Sequence, residues 1–118
     1  MRVVVAGSRE GVSEVLVKTT IDDILVKHPG ATLVTGGARG VDTIAHLYAK
    51  SIGAHTEVYR AQWEMYGKSA GFKRNEIMVN LPDVALVVCI YPGRRTIGTN
   101  HTASIARRKD IKILEVGL

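Results

Sequence analysis

The sequence predicts an α/β fold, a three-layer sandwich with a five-stranded parallel sheet at its centre. Three observations predict it. Short apolar or alternating runs take turns with longer stretches of helical period along the whole chain. Two runs, Val3–Ala6 and Val84–Ile90, are continuously apolar, as strands buried on both faces are. Two others, Thr56–Arg60 and Ile111–Val116, alternate polar and apolar in whole or in part, which suits edge strands. With right-handed crossovers, the order 3-2-1-4-5 puts the apolar runs in the middle and the alternating ones at the edges.

Each element follows in turn. The first strand, Val3–Ala6, ends at the turn Gly7-Ser8-Arg9-Glu10-Gly11. A helix follows, with Val17, Ile21, Ile24 and Leu25 on one face, and Lys27-His28-Pro29-Gly30 closes it with a cation, a breaker and a glycine. The second strand, Ala31–Thr35, leads into Gly36-Gly37-Ala38-Arg39-Gly40-Val41-Asp42. Val41, Ile44, Ala45, Tyr48 and Ile52 then carry the period of a helix that ends near Gly53. After the third strand, Ala61–Lys68 reads as a loop and Ser69–Asn80 as a helix, broken by Leu81-Pro82-Asp83. After the fourth strand, Tyr91–Gly98 reads as a long loop. Thr99–Arg108 reads as a helix with a face of small residues, Thr99, Thr102, Ala103 and Ala106.

The bulk numbers bound the function. A chain of 118 residues is one domain, 1–118, with one ordinary core. Hydrophobic content of 46% and charged content of 23% are those of a soluble globular protein. A net charge of +5 favours an anionic partner. The lone Cys89 excludes an internal disulfide and suits a reducing, cytoplasmic location. No run is long enough to span a membrane, and the few apolar residues between Arg2 and Gly7 are too few for a signal peptide. His28, His46, His55 and His101 show no metal spacing, so no metal and no cofactor are expected.

The chemistry gathers at one edge of the sheet. In the loop after the second strand, three glycines in five residues let the backbone take positive φ and come close to another group. The helix behind it directs free N–H groups and partial positive charge into the same space, a ready site for an anion. The strand order puts the switch point between strands one and four, so ligands are expected beyond their C-terminal ends. Arg9, Arg39, Lys68, Lys73, Arg74, Arg94 and Arg95 fall in the loops and first turns at that edge, seven of sixteen Lys and Arg. Cations there oppose the helix dipoles unless an anion is bound. Arg74 shares a helical face with Ala70, Ile77, Met78 and Leu81, so it is expected to point into the sheet edge; the alternative is an arginine snorkelling from the rim of the core. Trp63, Tyr66, Phe72 and Tyr91 are in or beside the same loops, and Trp63 and Tyr91 are candidates for base stacking. Trp63 and Phe72 also fit a lid packed over the core. Asp42 suits a helix N-cap and Ser8 a turn serine, although the two could make an acid-base set. The lysine of a phosphate loop of the Gly-x-x-x-x-Gly-Lys type is missing from Gly93–Thr99.

Gly7-Ser8-Arg9, Gly36-Gly37-Ala38-Arg39-Gly40-Val41-Asp42 with Ala45-His46, and Lys73-Arg74-Asn75 resemble the SLOG superfamily. This Rossmann-like group contains the DNA-processing protein A and the Lonely Guy phosphoribohydrolases. Nearly the whole chain takes part. The small uncharacterised bacterial and phage SLOG family is the most similar branch, sharing Trp63-Glu64 and Gly67-Lys68-Ser69-Ala70-Gly71. The resemblance implies a nucleotide or single-stranded DNA ligand, held through its phosphate by Gly7, Ser8, Arg9, Gly36, Gly37, Arg39, Gly40, Asp42, Lys73, Arg74, Asn75, Gly98 and Thr99. It also implies a homodimer or higher homo-oligomer. The Lonely Guy motif Pro-Gly-Gly-x-Gly-Thr-x-x-Glu is altered: Pro92-Gly93-Arg94-Arg95 precedes Gly98-Thr99, and Thr102 stands where the catalytic glutamate is expected. Binding without catalysis is therefore the first expectation. A nucleoside monophosphate phosphoribohydrolase, using Glu10, Asp42 or Glu64, and a nucleotide sensor are the alternatives.

Overall fold

The computed structural model describes residues 1–92 and 97–117, the side chains of 97–99 excepted. Five strands, β1 (Arg2–Gly7), β2 (Thr32–Thr35), β3 (His55–Val58), β4 (Val84–Tyr91) and β5 (Lys112–Gly117), form one parallel sheet in the order β3-β2-β1-β4-β5. The continuously apolar strands are central and the alternating ones are edges, as their sequences predict.

Pleating sends successive side chains of β1 to opposite faces, and each face finds its own helices. Val3 and Val5 meet Val17 and Ile21 of α1 (Glu14–Lys27) and Val41 and Ala45 of α2 (Val41–Ser51). Val4 packs with Met78 and Val79 of α4 (Ala70–Val79) and Ala103 and Ala106 of α5 (Ile97–Arg108). The small residues of α5 give its buried face, and Cys89 is buried in that same layer. The α1 helix starts where Ser13 accepts from the Leu16 N–H at 3.2 Å, a side-chain N-cap.

Several expectations are corrected. Ala61–Lys68 is not a plain loop: α3 (Trp63–Tyr66) and a 3₁₀ turn (Gly67–Ser69) occupy most of it. The Met65 and Tyr66 N–H groups both donate to the Gln62 carbonyl, and Gly67 at φ 57° ends the turn. Ile77 does not face the core but is 54% exposed; Asn75 and Val79 complete the buried face of α4. Trp63 and Phe72 do not form a buried lid, being 52% and 42% exposed. The strand expected at Thr56–Arg60 lies at His55–Val58, and the last helix begins at Ile97. Among the described residues no helix is long and apolar enough to cross a membrane.

Candidate functional site

The end of β1 and the loop after it, the loop after β2 with the first turn of α2, residues of α3 and the 3₁₀ turn, the flank of α4 and one residue of α5 line a cleft of about 520 Å³. That volume is within the range of small-molecule sites. It opens at the C-terminal edge of β1 and β4, where the strand order reverses.

The floor is built by stitching two loops together. The Val41 N–H, at the start of α2, donates to the Ser8 carbonyl at 3.1 Å, and the Ser8 N–H donates to the Ile90 carbonyl at 3.1 Å. Ser8 is buried as a result, with its side chain in the cleft lining. Gly40 makes the approach possible. Its φ is 83°, and a Cβ there would sit 2.3 Å from the Ser8 oxygen and 2.6 Å from the Arg9 Cα.

Asp42 corrects the simplest view of the glycine loop. It is not the N-cap of α2; Gly40 takes that position, and Asp42 sits inside the first turn with 7% exposure. Its Oδ2 accepts the N–H groups of Gly36 at 3.1 Å and Ala38 at 3.3 Å. Two N–H donors that sequence reasoning offered to a phosphate are thus directed at an internal carboxylate. Burial pushes the Asp42 pKa up to about 6, against the opposing pull of the Ala38 N–H, the Arg74 charge, the Gly36 N–H and the Arg9 charge.

Arg74 is turned into the cleft, as expected from its face of α4. Its guanidinium lies against Gly36, where a Cβ would collide with Nη1, and Nη1 donates to the Gly36 carbonyl. Nε donates to Asn75 Oδ1 at 2.9 Å. Among the described residues no carboxylate comes within 4.0 Å of it, and Nη2 makes no hydrogen bond. Burial lowers its pKa, with Asp42 opposing and Arg9 assisting. An arginine stays protonated under such conditions, so the cleft keeps a half-buried cation with donors to offer.

The remaining residues divide plainly. Gly7, Arg9, Asn75 and Trp63 line the cleft with Ser8, Asp42 and Arg74. Gly36 packs under Arg74, and the Gly37 carbonyl accepts from Arg60 at 3.3 Å behind the loop. Arg39 is turned to the outer rim, exposed, with Nη2 donating to Glu10 Oε1 at 2.6 Å. Lys73 is exposed, its ammonium 4.9 Å from the centre of the Tyr66 ring. Tyr91 stands apart from the cleft: it packs in the α4–α5 layer, and its hydroxyl donates to Glu115 at 3.3 Å. Gly98 and Thr99 fall in the first turn of α5, and their side chains lie outside the described residues, as do Arg94 and Arg95 entirely.

The cleft also uses residues outside the set expected to bind phosphate or stack on a base. Lys68 and Phe72 line its mouth, Met78 its apolar wall, and Thr102, 1% exposed, its inner wall. The small-residue face of the last helix was the signal for Thr102. Lys68 is among the cations gathered at this edge, Phe72 among its aromatics and Met78 on the helical face of Arg74, but nothing in the sequence singles them out as lining one wall with Ser8. Among the described residues the carboxylates lining the cleft are Glu10 and Asp42, against the cations Arg9, Lys68 and Arg74, so that lining carries an excess of positive charge. Among the described residues no group of three His, Cys, Asp or Glu could hold a metal ion.

The sequence model of the YspA, cpYpsA-related SLOG family matches residues 1–66. The Gene 61 protein of Mycobacterium phage D29 is 36% identical over 123 aligned residues, spanning 98% of this chain and 96% of that protein.

Proposed function

Because the chain belongs to the YspA, cpYpsA-related SLOG family, we propose that its cleft binds the phosphate of a nucleotide, free or as one unit of a single strand, without catalysing its cleavage. Arg74 is the observation that carries this reading. A half-buried guanidinium, held by a carbonyl and an amide oxygen and not by a carboxylate, leaves its positive charge for an anion. Arg9 and Lys68 add charge at the mouth, and Trp63 and Phe72 offer exposed rings on which a base can stack. Thr102 in the inner wall supplies no carboxylate to steady an oxocarbenium-like state or activate water, which is why binding is preferred to hydrolysis.

Trp63 is the single tryptophan and sits at the mouth, so its emission reports on occupancy. Titration with AMP and with a 5′-phosphorylated oligo-dT is expected to change that emission, with affinity falling as salt rises. Binding of AMP alone assigns a free nucleotide; binding of the oligonucleotide alone assigns a strand. Arg74→Ala is expected to weaken binding roughly tenfold to a hundredfold, the worth of a charged hydrogen bond. Unchanged emission and unchanged melting with both ligands at low salt would sink the proposal.

The hydrolase reading keeps one observation in its favour: Asp42 lines the cleft with a pKa of about 6, in the range of a general acid or base. Its two backbone donors argue for a structural task instead. Incubation with a panel of nucleoside monophosphates decides, since hydrolysis releases free base.

A further inference from the structure

Behind the cleft, one side chain removed from it, stands His101 of α5. Arg74 Nε can only donate, so the Asn75 atom 2.9 Å from it is Oδ1. That choice aims Asn75 Nδ2, a donor, at His101 Nδ1, 3.4 Å away. The contact is attractive only when Nδ1 carries a lone pair. The ring proton then belongs on Nε2, which faces Glu76 Oε1 at 4.0 Å. Phe72 packs on the ring with centroids 4.6 Å apart, and Asn75 is buried, so neither partner turns freely.

We propose that neutral His101 is the positioning residue for Arg74, acting through Asn75, and that a proton on His101 unseats the cation that the nucleotide phosphate meets. This rests on the reading of the cleft given above. An imidazolium sets Nδ1–H against the Asn75 N–H. Turning the amide over relieves that clash but sets the same N–H against Arg74 Nε–H. Whichever way Asn75 faces, one of the two bonds is lost. Two charged side chains act on the ring among the described residues: Glu76 from α4 favours the imidazolium, and Arg108 from α5 itself opposes it. Burial is the largest influence and lowers the His101 pKa below its ordinary value, so the neutral ring and the seated Arg74 prevail at neutral pH.

Side-chain nitrogen NMR on the ¹⁵N-labelled protein tests the relay without any ligand, with the His101→Gln spectrum assigning the ring. The expected result is an unprotonated Nδ1 at pH 7.5 and a titration midpoint below the ordinary 6.5. Asn75→Asp, whose carboxylate accepts from both neighbours, is expected to move that midpoint up. In the binding arm, AMP is titrated against Trp63 emission. His101→Leu is expected to weaken binding about 2- to 10-fold at pH 7.5, and His101→Gln, which presents an amide oxygen to Nδ2, to restore it. Between pH 7.5 and 5.5 the unaltered protein is expected to lose more affinity than His101→Gln does. That variant keeps the titrations of Asp42 and of the phosphate, so the difference belongs to His101. A protonated Nδ1 at pH 7.5, a midpoint unmoved in Asn75→Asp, or equal binding by His101→Leu at neutral pH overturns the proposal. If AMP does not bind at all, the reading of the cleft fails, and the tautomer and midpoint still decide the relay.

Discussion

Replacing Asp42 separates two contributions of a buried carboxylate: its oxygen as an acceptor and its charge. The Oδ2 atom takes the N–H groups of Gly36 and Ala38, and those two bonds shape the glycine loop. The charge is held at a cost, because burial raises the pKa from 3.8 to about 6 even after those bonds and Arg74 have acted. That difference corresponds to about 3 kcal/mol at neutral pH. Asp42→Asn keeps an acceptor oxygen and removes the charge. It is expected to match the unaltered protein at pH 7.5 or exceed it by up to about 3 kcal/mol. Asp42→Ala leaves two inward N–H groups without their acceptor, at about 1–3 kcal/mol each. The pH dependence has a definite sign. A folded-state pKa above the unfolded one means the folded chain holds the proton more tightly between 3.8 and about 6. The cost of the charge is therefore full above that window, shrinks as pH falls through it, and is gone below. Asp42→Asn lacks this contribution, so its advantage is expected to fade toward pH 4. Urea denaturation followed by far-ultraviolet circular dichroism at pH 7.5, 6 and 5 measures all three proteins. If Asp42→Asn drops as far as Asp42→Ala at pH 7.5, the charge itself holds the loop and the reasoning is refuted.

Other substitutions test the packing around the cleft. Gly36→Ala puts a methyl 2.3 Å from Arg74 Nη1, the far end of a flexible side chain, so the fold is expected to survive while AMP binding falls at least as much as in Arg74→Ala. Circular dichroism and Trp63 titration on one sample check both halves of that expectation. Gly40→Ala and Gly53→Ala share positive φ values, 83° and 77°, but only Gly40 faces backbone atoms, whereas nothing lies within 4 Å of a Cβ at Gly53. Gly53→Ala is expected to cost about 1–2 kcal/mol from backbone strain. Gly40→Ala is expected to cost several kcal/mol more, and comparable melting temperatures for the two would contradict the close approach of Ser8 to Gly40.

The sheet was legible because burial leaves its mark on strands directly. Val3–Ala6 and Val84–Ile90 carry no polar face, and they are central; Thr56–Arg60 and Ile111–Val116 carry one, and they coincide with the edges. The inward turn of Arg74 was legible for a similar reason, as a charge near the apolar face of a helix. The short α3 helix was not, because four residues are too few to show a period. The role of Asp42 was hidden by chemistry of equal plausibility. An aspartate near the start of a helix commonly caps it, and only the backbone path shows that Gly40 has that position and Asp42 turns back to the loop. Lys68, Phe72 and Thr102 come from the 3₁₀ turn, α4 and α5, so their meeting with Ser8 depends on how those elements are set against the sheet.

The hydrogen bond from Arg74 to the Gly36 carbonyl joins residues 38 apart in sequence, so Arg74 reaches its place in the cleft only in the folded chain. A ligand seated on Arg74 therefore binds the assembled chain and not the unfolded one, and it opposes unfolding by mass action. At a thousandfold excess over Kd this linkage is worth about 4 kcal/mol. For a domain of this size each kcal/mol moves the melting temperature by roughly 2–8 °C. A plain thermal-shift survey of nucleotides, run against Arg74→Ala as the blank, can thus identify the occupant.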